Sequence, residues 1–272
     1  VAREIGFDRD TVHIAGVDFG GQGPGFLLLH GLAGTSAEWT ETGSWLRERG
    51  RVVALDARGH GGSERFPADV SREAHVADAA LVIEQLGLGP AVVVGHSLGG
   101  QAAMLLAAAR PDLVRAAVVA EGGPNDNTDV KAITGAVDYI DATLRRWPVP
   151  FATRAAALSH FGGPSLRAEL WTSGLEERDG GLWPRFDIDV MLRTLRASLE
   201  YPSWDAWERV EQSMLLVRAN RGIYTPGQVR EMAERGRAVT LVEIDGAGHD
   251  VHLDRPQEWR AALSEFLDAN RS

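Results

Sequence analysis

The stretch Ala91-Val92-Val93-Val94-Gly95-His96-Ser97-Leu98-Gly99-Gly100 constrains this chain more than any other. A short apolar run leads into Gly-x-Ser-x-Gly and then into the alanine-rich segment Gln101 to Arg110. The run reads as a buried strand and the segment as a helix, with Ser97 on the sharp turn between them. A serine on such a turn has a strained backbone, and glycines two before and two after it let strand and helix pack closely. The turn holds the Ser97 hydroxyl clear of the sheet. It also brings the first amides of the helix, Leu98 foremost, beside that hydroxyl, where their positive end can stabilise an oxyanion.

Strand-like runs recur at Thr11 to Val17, Phe26 to Leu29, Val52 to Leu55, Ala91 to Val94, Ala116 to Ala120, Met214 to Val217 and Val239 to Ile244. Helical segments lie between them. One carries an apolar stripe at Val76, Ala79, Ala80, Ile83 and Leu86 and stops at Gly87; another carries Trp259, Leu263, Phe266 and Leu267. This alternation predicts an α/β fold, a mostly parallel central sheet with helices on both faces. Gly20-Gly21-Gln22-Gly23-Pro24-Gly25 reads as a hairpin turn between the first two runs. The alternation lapses over 122–205, where the chain is helical, turn-rich and aromatic, so 1–121 and 206–272 are expected to form the core and 122–205 a helical cap. An insertion at the carboxyl ends of parallel strands lies where such sheets bind ligands. Trp183 and Phe186 are the cap residues placed nearest the substrate.

Length and composition narrow the function classes. The 272 residues suit one large α/β domain, and a net charge of −10 argues against nucleic acid or an anionic membrane as partner. The absence of cysteine excludes disulfides, thiolate metal sites and a cysteine nucleophile. Lys131 is the sole lysine and has no supporting pattern for Schiff-base chemistry. The first residues do not read as a signal peptide, and no apolar run approaches the ~18 residues of a membrane span, so a cytoplasmic protein is expected.

A serine hydroxyl needs a base to take its proton. Of eight histidines, His249 in Gly246-Ala247-Gly248-His249-Asp250 follows the last strand on a flexible loop and is the expected base, with His252 as competitor. His96 adjoins Ser97, but its ring is expected to leave the elbow in another direction. The turn His30-Gly31-Leu32-Ala33-Gly34 follows an earlier strand, and the Leu32 amide is the expected second oxyanion donor, with Gly31 against the substrate and His30 stabilising the turn. Asp56 and Arg58, in Asp56-Ala57-Arg58-Gly59-His60-Gly61-Gly62-Ser63, are expected to brace their loop.

Taken in order, His30-Gly31, Asp56-x-Arg58-Gly59-His60-Gly61-x-Ser63, Gly95-His96-Ser97-Leu98-Gly99 and Gly248-His249 resemble the α/β-hydrolase superfamily over nearly the whole chain outside the cap. The commoner pattern in that family puts the triad acid after the strand matching Met214 to Val217. Here the loop Arg218 to Thr225 has no carboxylate. The family's other position, the end of the sixth strand, holds Glu121, an arrangement similar to that of zearalenone-type lactonases; Asp126 and Asp129 are reserve acids, and a Ser-His dyad is the reading without an acid. These residues fit a serine hydrolase cleaving an ester or lactone through an acyl-enzyme, and the Trp- and Phe-rich cap points to an uncharged apolar or aromatic small molecule as substrate. No metal or organic cofactor is expected. A cofactor-independent dioxygenase and a ligand sensor on the same scaffold are the alternatives, and the expected partner is the substrate alone, with a homodimer left open.

Overall fold

The computed structural model describes residues 2–125 and 129–270. The chain opens with an antiparallel pair, β1 (Arg3–Arg9) and β2 (Val12–Gly20), joined through Asp10, whose φ is 58°. Then come β3 (Gly25–Leu29), the helix α1 (Thr40–Leu46), β4 (Arg51–Leu55), α2 (Arg72–Leu86), β5 (Ala91–His96), α3 (Leu98–Ala109) and β6 (Val114–Ala120). An inserted stretch carries α4 (Val130–Leu144), α5 (Arg154–His160), α6 (Leu166–Ser173), β7 (Leu175–Arg178), β8 (Gly181–Pro184) and α7 (Ile188–Leu199). The chain closes with α8 (Trp204–Arg209), β9 (Ser213–Ala219), α9 (Pro226–Arg235), β10 (Val239–Ile244), α10 (Val251–Asp254) and α11 (Pro256–Ala269).

Eight strands form the main sheet in the order β1-β2-β4-β3-β5-β6-β9-β10, parallel from β4 to β10. Strands β3, β5 and β6 are covered on both faces, which is why they read as unbroken apolar runs. Successive side chains point to opposite faces. Leu27, Leu29, Val53, Val93, Ala117 and Leu216 therefore meet α2, α3, α8 and α9 in one core, while Phe26, Leu28, Val52, Val94, Val118 and Leu215 meet α1 and α11 in the other. Helix α2 starts on its Ser71 cap and stops at Gly87, which adopts φ 61° while the Leu88 amide donates to Ile83 O.

Two expectations are corrected. The glycine-rich segment after β2 is not a hairpin turn: β2 and β3 do not pair, because β4 lies between them. The hairpin is β1 with β2. The inserted stretch, expected to be helical, also contains the antiparallel pair β7–β8, turning through Asp179-Gly180 with φ values of 39° and 81°. An Asp-Gly pair is the usual signal for such a turn.

Strand order reverses around β3, whose neighbours are β4 and β5. The loops after β3 and β5 consequently emerge side by side at the carboxyl edge of the sheet, the place where such sheets take ligands. The inserted stretch leans on that edge. Phe186, Val190 and Trp171 pack with Leu32 and Ala33 from the loop after β3, Arg65 from the loop after β4 reaches Glu176 and the Phe186 carbonyl, and the Trp171 indole donates to Asp250.

Candidate active site

Strand β5 runs into Ser97, whose backbone sits at φ 52°, ψ −114°. A serine pays roughly 1–3 kcal/mol to hold such a conformation. Packing leaves it no alternative: a Cβ on Gly95 would lie 2.0 Å from Gly99 O, and one on Gly99 would lie 2.2 Å from Leu29 O. The Ser97 amide donates to Ala120 O at 2.8 Å, which ties the elbow to the end of β6. Leu98 is the first residue of α3, so its N–H has no partner in the turn before it and points out of the helix end.

The turn after β3 is held by two neutral histidines. His30 Nδ1 donates to Gly31 O at 2.7 Å while its Nε2 accepts from the Ala57 amide at 2.9 Å. His60, fully buried, donates from Nδ1 to Arg58 O and accepts at Nε2 from the Ala33 amide at 3.1 Å. Burial, reinforced by His30, pushes the His60 pKa well below its ordinary value. Gly31 is required where it stands, since a Cβ there would lie 2.9 Å from His96 Nδ1 and 3.3 Å from Ser97 Cβ. Leu32 follows in the same turn, beside the elbow. Asp56 accepts the Ser36 and Gly62 amides, and Arg58 makes a buried two-pronged pair with Asp78 at 2.7 Å on each side. These residues brace the loop and do not enter the site.

Glu121 is completely buried and takes φ 48°, a left-handed backbone rare for glutamate. Its amide donates to Val217 O, and its carboxylate accepts the Ala219 and Ile223 amides at 2.7 Å each. The loop after β9 thus folds around this side chain. A Cβ on Gly222 would crowd Glu121 Oε2, so position 222 of that loop has no room for a carboxylate side chain. Glu121 Oε2 stands 3.4 Å from His249 Nδ1. Burial and then the Glu121 charge push the Tyr224 hydroxyl pKa up, so it stays protonated.

His249 is part-exposed, and its carbonyl accepts from His96 Nε2 at 2.8 Å. His96 therefore does leave the elbow, but toward the loop of His249. Burial opposes charge on the His96 ring, yet Glu38, Asp250 and the His249 carbonyl hold its pKa above the ordinary value. His252 is buried under Trp39, with ring centroids 4.4 Å apart, and faces Glu38 and away from Glu121. Asp129 caps α4, and Asp126 lies outside the described residues.

Beside the turn after β3 is a narrow cleft lined among others by Ala33, Glu38, Trp147, Trp171, Arg185 and Phe186; Ser97, Leu98 and His249 are not among its lining residues. Phe186 is in it, buried. Trp183 is not: its indole donates to Arg178 O and its ring lies under the Arg178 guanidinium, on the β7–β8 hairpin. Trp147, Trp171 and Arg185 were missed by the sequence reading. Trp147, in the turn after α4, and Trp171, in α6, are indistinguishable in sequence from core aromatics, and Arg185 shows itself only through its unpartnered, buried Nε.

A model of the alpha/beta hydrolase family matches residues 26–262. Lipase LipV of Mycobacterium tuberculosis is 39% identical over 263 residues, covering 92% of this chain and 95% of its own. The sn-1-specific diacylglycerol lipase ABHD11 of Mus musculus is 31% identical over 254 residues, covering 90% and 81%. The 2-(acetamidomethylene)succinate hydrolase of Mesorhizobium japonicum is 28% identical over 276 residues, covering 99% and 96%. A crystal structure of E-2-(acetamidomethylene)succinate hydrolase superposes with a TM-score of 0.88 over 98% of this chain and all of the other, at 26% identity. An enol-lactonase from Burkholderia xenovorans shares the fold, with a TM-score of 0.77 at 18% identity. Among the described residues no helix is long and apolar enough to cross a membrane.

Proposed function

Because the chain belongs to the alpha/beta hydrolase family, we propose that it is a serine hydrolase of carboxylic esters or lactones, with Ser97 as nucleophile, His249 as base and Glu121 as the acid that orients it. The observation that carries the reading is a buried Glu121 carboxylate, fixed by two amides and 3.4 Å from His249 Nδ1, on a site whose His249 loop is tied by its carbonyl to the ring of His96, the neighbour of the strained Ser97. His249 removes the Ser97 proton as the oxygen attacks the carbonyl carbon. The Leu32 and Leu98 amides receive the oxyanion, and the protonated His249 gives its proton to the leaving oxygen. Water then attacks the acyl-enzyme with His249 again as base, returning Ser97 to its starting state. Glu121 Oε2 keeps the Nδ1 proton in place and stabilises the imidazolium. The inserted stretch acts as the cap.

The apolar lining of the cleft by Trp147, Trp171 and Phe186 supports a substrate with an apolar or aromatic body. One observation favours a second reading of the substrate's charge. Arg185 lines the same cleft with a buried, unpartnered Nε and no ion-pair partner among the described residues, and a relative matched over 99% of this chain is named for hydrolysis of a succinate derivative. On that reading the substrate carries a carboxylate. A panel of p-nitrophenyl esters, lactones, and ester and amide substrates with and without a free carboxylate separates the two. Neutral acyl esters turned over with kcat/KM unaffected by Arg185→Leu support the first reading. A kcat/KM advantage of tenfold or more for the carboxylate-bearing members, lost in Arg185→Leu, supports the second. No turnover of any member by wild type, with Ser97→Ala equal to it, overturns both.

A further inference from the structure

Behind the proposed triad, Glu38, His96 and His252 bring one carboxylate oxygen and two ring nitrogens within 4.8 Å of one another, and all three side chains are buried. Glu38 Oε1 is 3.8 Å from His96 Nδ1 and 3.7 Å from His252 Nε2. Neither nitrogen has a hydrogen-bond partner, although each is sealed from solvent, and His252 Nδ1 is unpartnered as well. A buried polar atom left so costs about 1–3 kcal/mol, and two of them, His96 Nδ1 and His252 Nε2, facing one carboxylate call for a missing partner. The missing partner's charge follows from Glu38, a carboxylate 5% exposed whose only donor is the Gly31 amide at 3.3 Å and which has no Arg or Lys partner among the described residues. A buried carboxylate of this kind needs a cation.

We propose that Glu38 Oε1, His96 Nδ1 and His252 Nε2 bind one divalent transition-metal ion, of which zinc fits the donors best. His96 Nε2 donates its proton to the His249 carbonyl, the usual outer-shell arrangement of a ligating histidine, so the ion takes Nδ1 by displacing the proton that Glu38 favours there. Two imidazoles and a carboxylate are borderline ligands suited to zinc. Tetrahedral zinc with ligands at ~2.0–2.1 Å puts them roughly 3.3–3.4 Å apart, so binding draws Glu38 toward each ring from 3.8 and 3.7 Å and draws the two ring nitrogens, now within 4.8 Å, toward each other. Three protein ligands leave the fourth position to water. Glu38 also lines the cleft beneath the inserted stretch, whereas His96 and His252 do not, so the ion is taken up as the chain folds.

The three ligands come from three parts of the site. Glu38 is in the turn after the Leu32 loop, His96 immediately precedes Ser97, and His252 is on α10, three residues beyond His249. The ion is a staple for these elements and takes no part in the reaction. The full chain is unfolded in denaturant and refolded with zinc chloride or with EDTA, desalted, and measured for metal by plasma mass spectrometry and for Tm; Glu38→Gln and His252→Asn are carried in parallel. Near one zinc per chain, a Tm several degrees above the EDTA sample, and loss of both in the two variants are expected. Less than 0.1 zinc per chain with equal Tm values overturns the proposal and leaves a proton on His96 as the neutralising charge. Zinc retained in both variants overturns it too, placing the metal elsewhere. Neither readout uses activity, so failure here is separate from failure of the hydrolase reading.

Discussion

Glu121 occupies a left-handed backbone position, has no exposed surface, and spends both carboxylate oxygens on neighbours, two of them amides of the loop after β9. A packing residue has no need of this arrangement. It suits the role proposed for Glu121, holding His249 in one orientation. Glu121→Gln is expected to lower kcat by about 10²–10⁴ while KM changes little, because the amide weakens imidazolium stabilisation and directs an N–H group toward donors. Steady-state kinetics on the best ester of the panel checks it, and an unchanged kcat contradicts it. Gly222→Ala is the matching test from the other side: its Cβ must push the Glu121 carboxylate aside, so a kcat loss of similar direction is expected, with a stability loss of roughly 1–3 kcal/mol read from the urea midpoint. The same contact argues against moving the acid to Gly222 in a Glu121→Gln background. Asn220 is no better placed, since its side chain is engaged with Asp245 and the Gly246 amide.

At the scale of elements, the elbow, the helical stripes of α2 and α11 and the seven expected strands were legible because each rests on local chemistry: glycine spacing, 3.6-residue periodicity, apolar runs. Strand β1 was not legible, since Arg3, Glu4, Asp8 and Arg9 leave its exposed edge looking like a polar terminus. The pairing of β2 with β4 was hidden for a different reason: neighbours in a sheet are chosen by tertiary packing, and a glycine-rich turn does not say which strands it joins. The loop after β4 carries its own prediction. His60 is neutral in the fold and its pKa lies well below 6.5, whereas in the unfolded chain it titrates near 6.5. Below that pH the unfolded state binds the extra proton, so stability falls as pH falls, by up to about 1.4 kcal/mol per unit for this one ring. His75, lowered by burial to about 4, adds to the slope down to that value. Urea midpoints at pH 7.5, 6.5 and 5.5 should therefore decline, and His60→Gln should flatten the decline; an equal slope in the variant contradicts this origin.

Over the whole molecule, the site is a product of strand order. The reversal around β3 brings the turn of Leu32 next to the elbow of Ser97, β6 delivers Glu121 beside it, and the loop after β10 returns His249 to close the set. The proposed set of Ser97, His249 and Glu121 was named from motif order, whereas the residues packed around it were not. Trp147, Trp171 and Arg185 reach the cleft through the packing of the inserted stretch, and the cluster of Glu38, His96 and His252 assembles residues from three distant parts of the sequence. The central claim is that Ser97 is an activated nucleophile. Reaction with a fluorophosphonate, followed by intact-mass and peptide mass spectrometry, tests it without knowledge of the substrate. One adduct per chain on Ser97 is expected, absent from Ser97→Ala and formed at least about 10²-fold more slowly in His249→Ala and Glu121→Gln. An unlabelled wild type, or an adduct on another residue, contradicts the account.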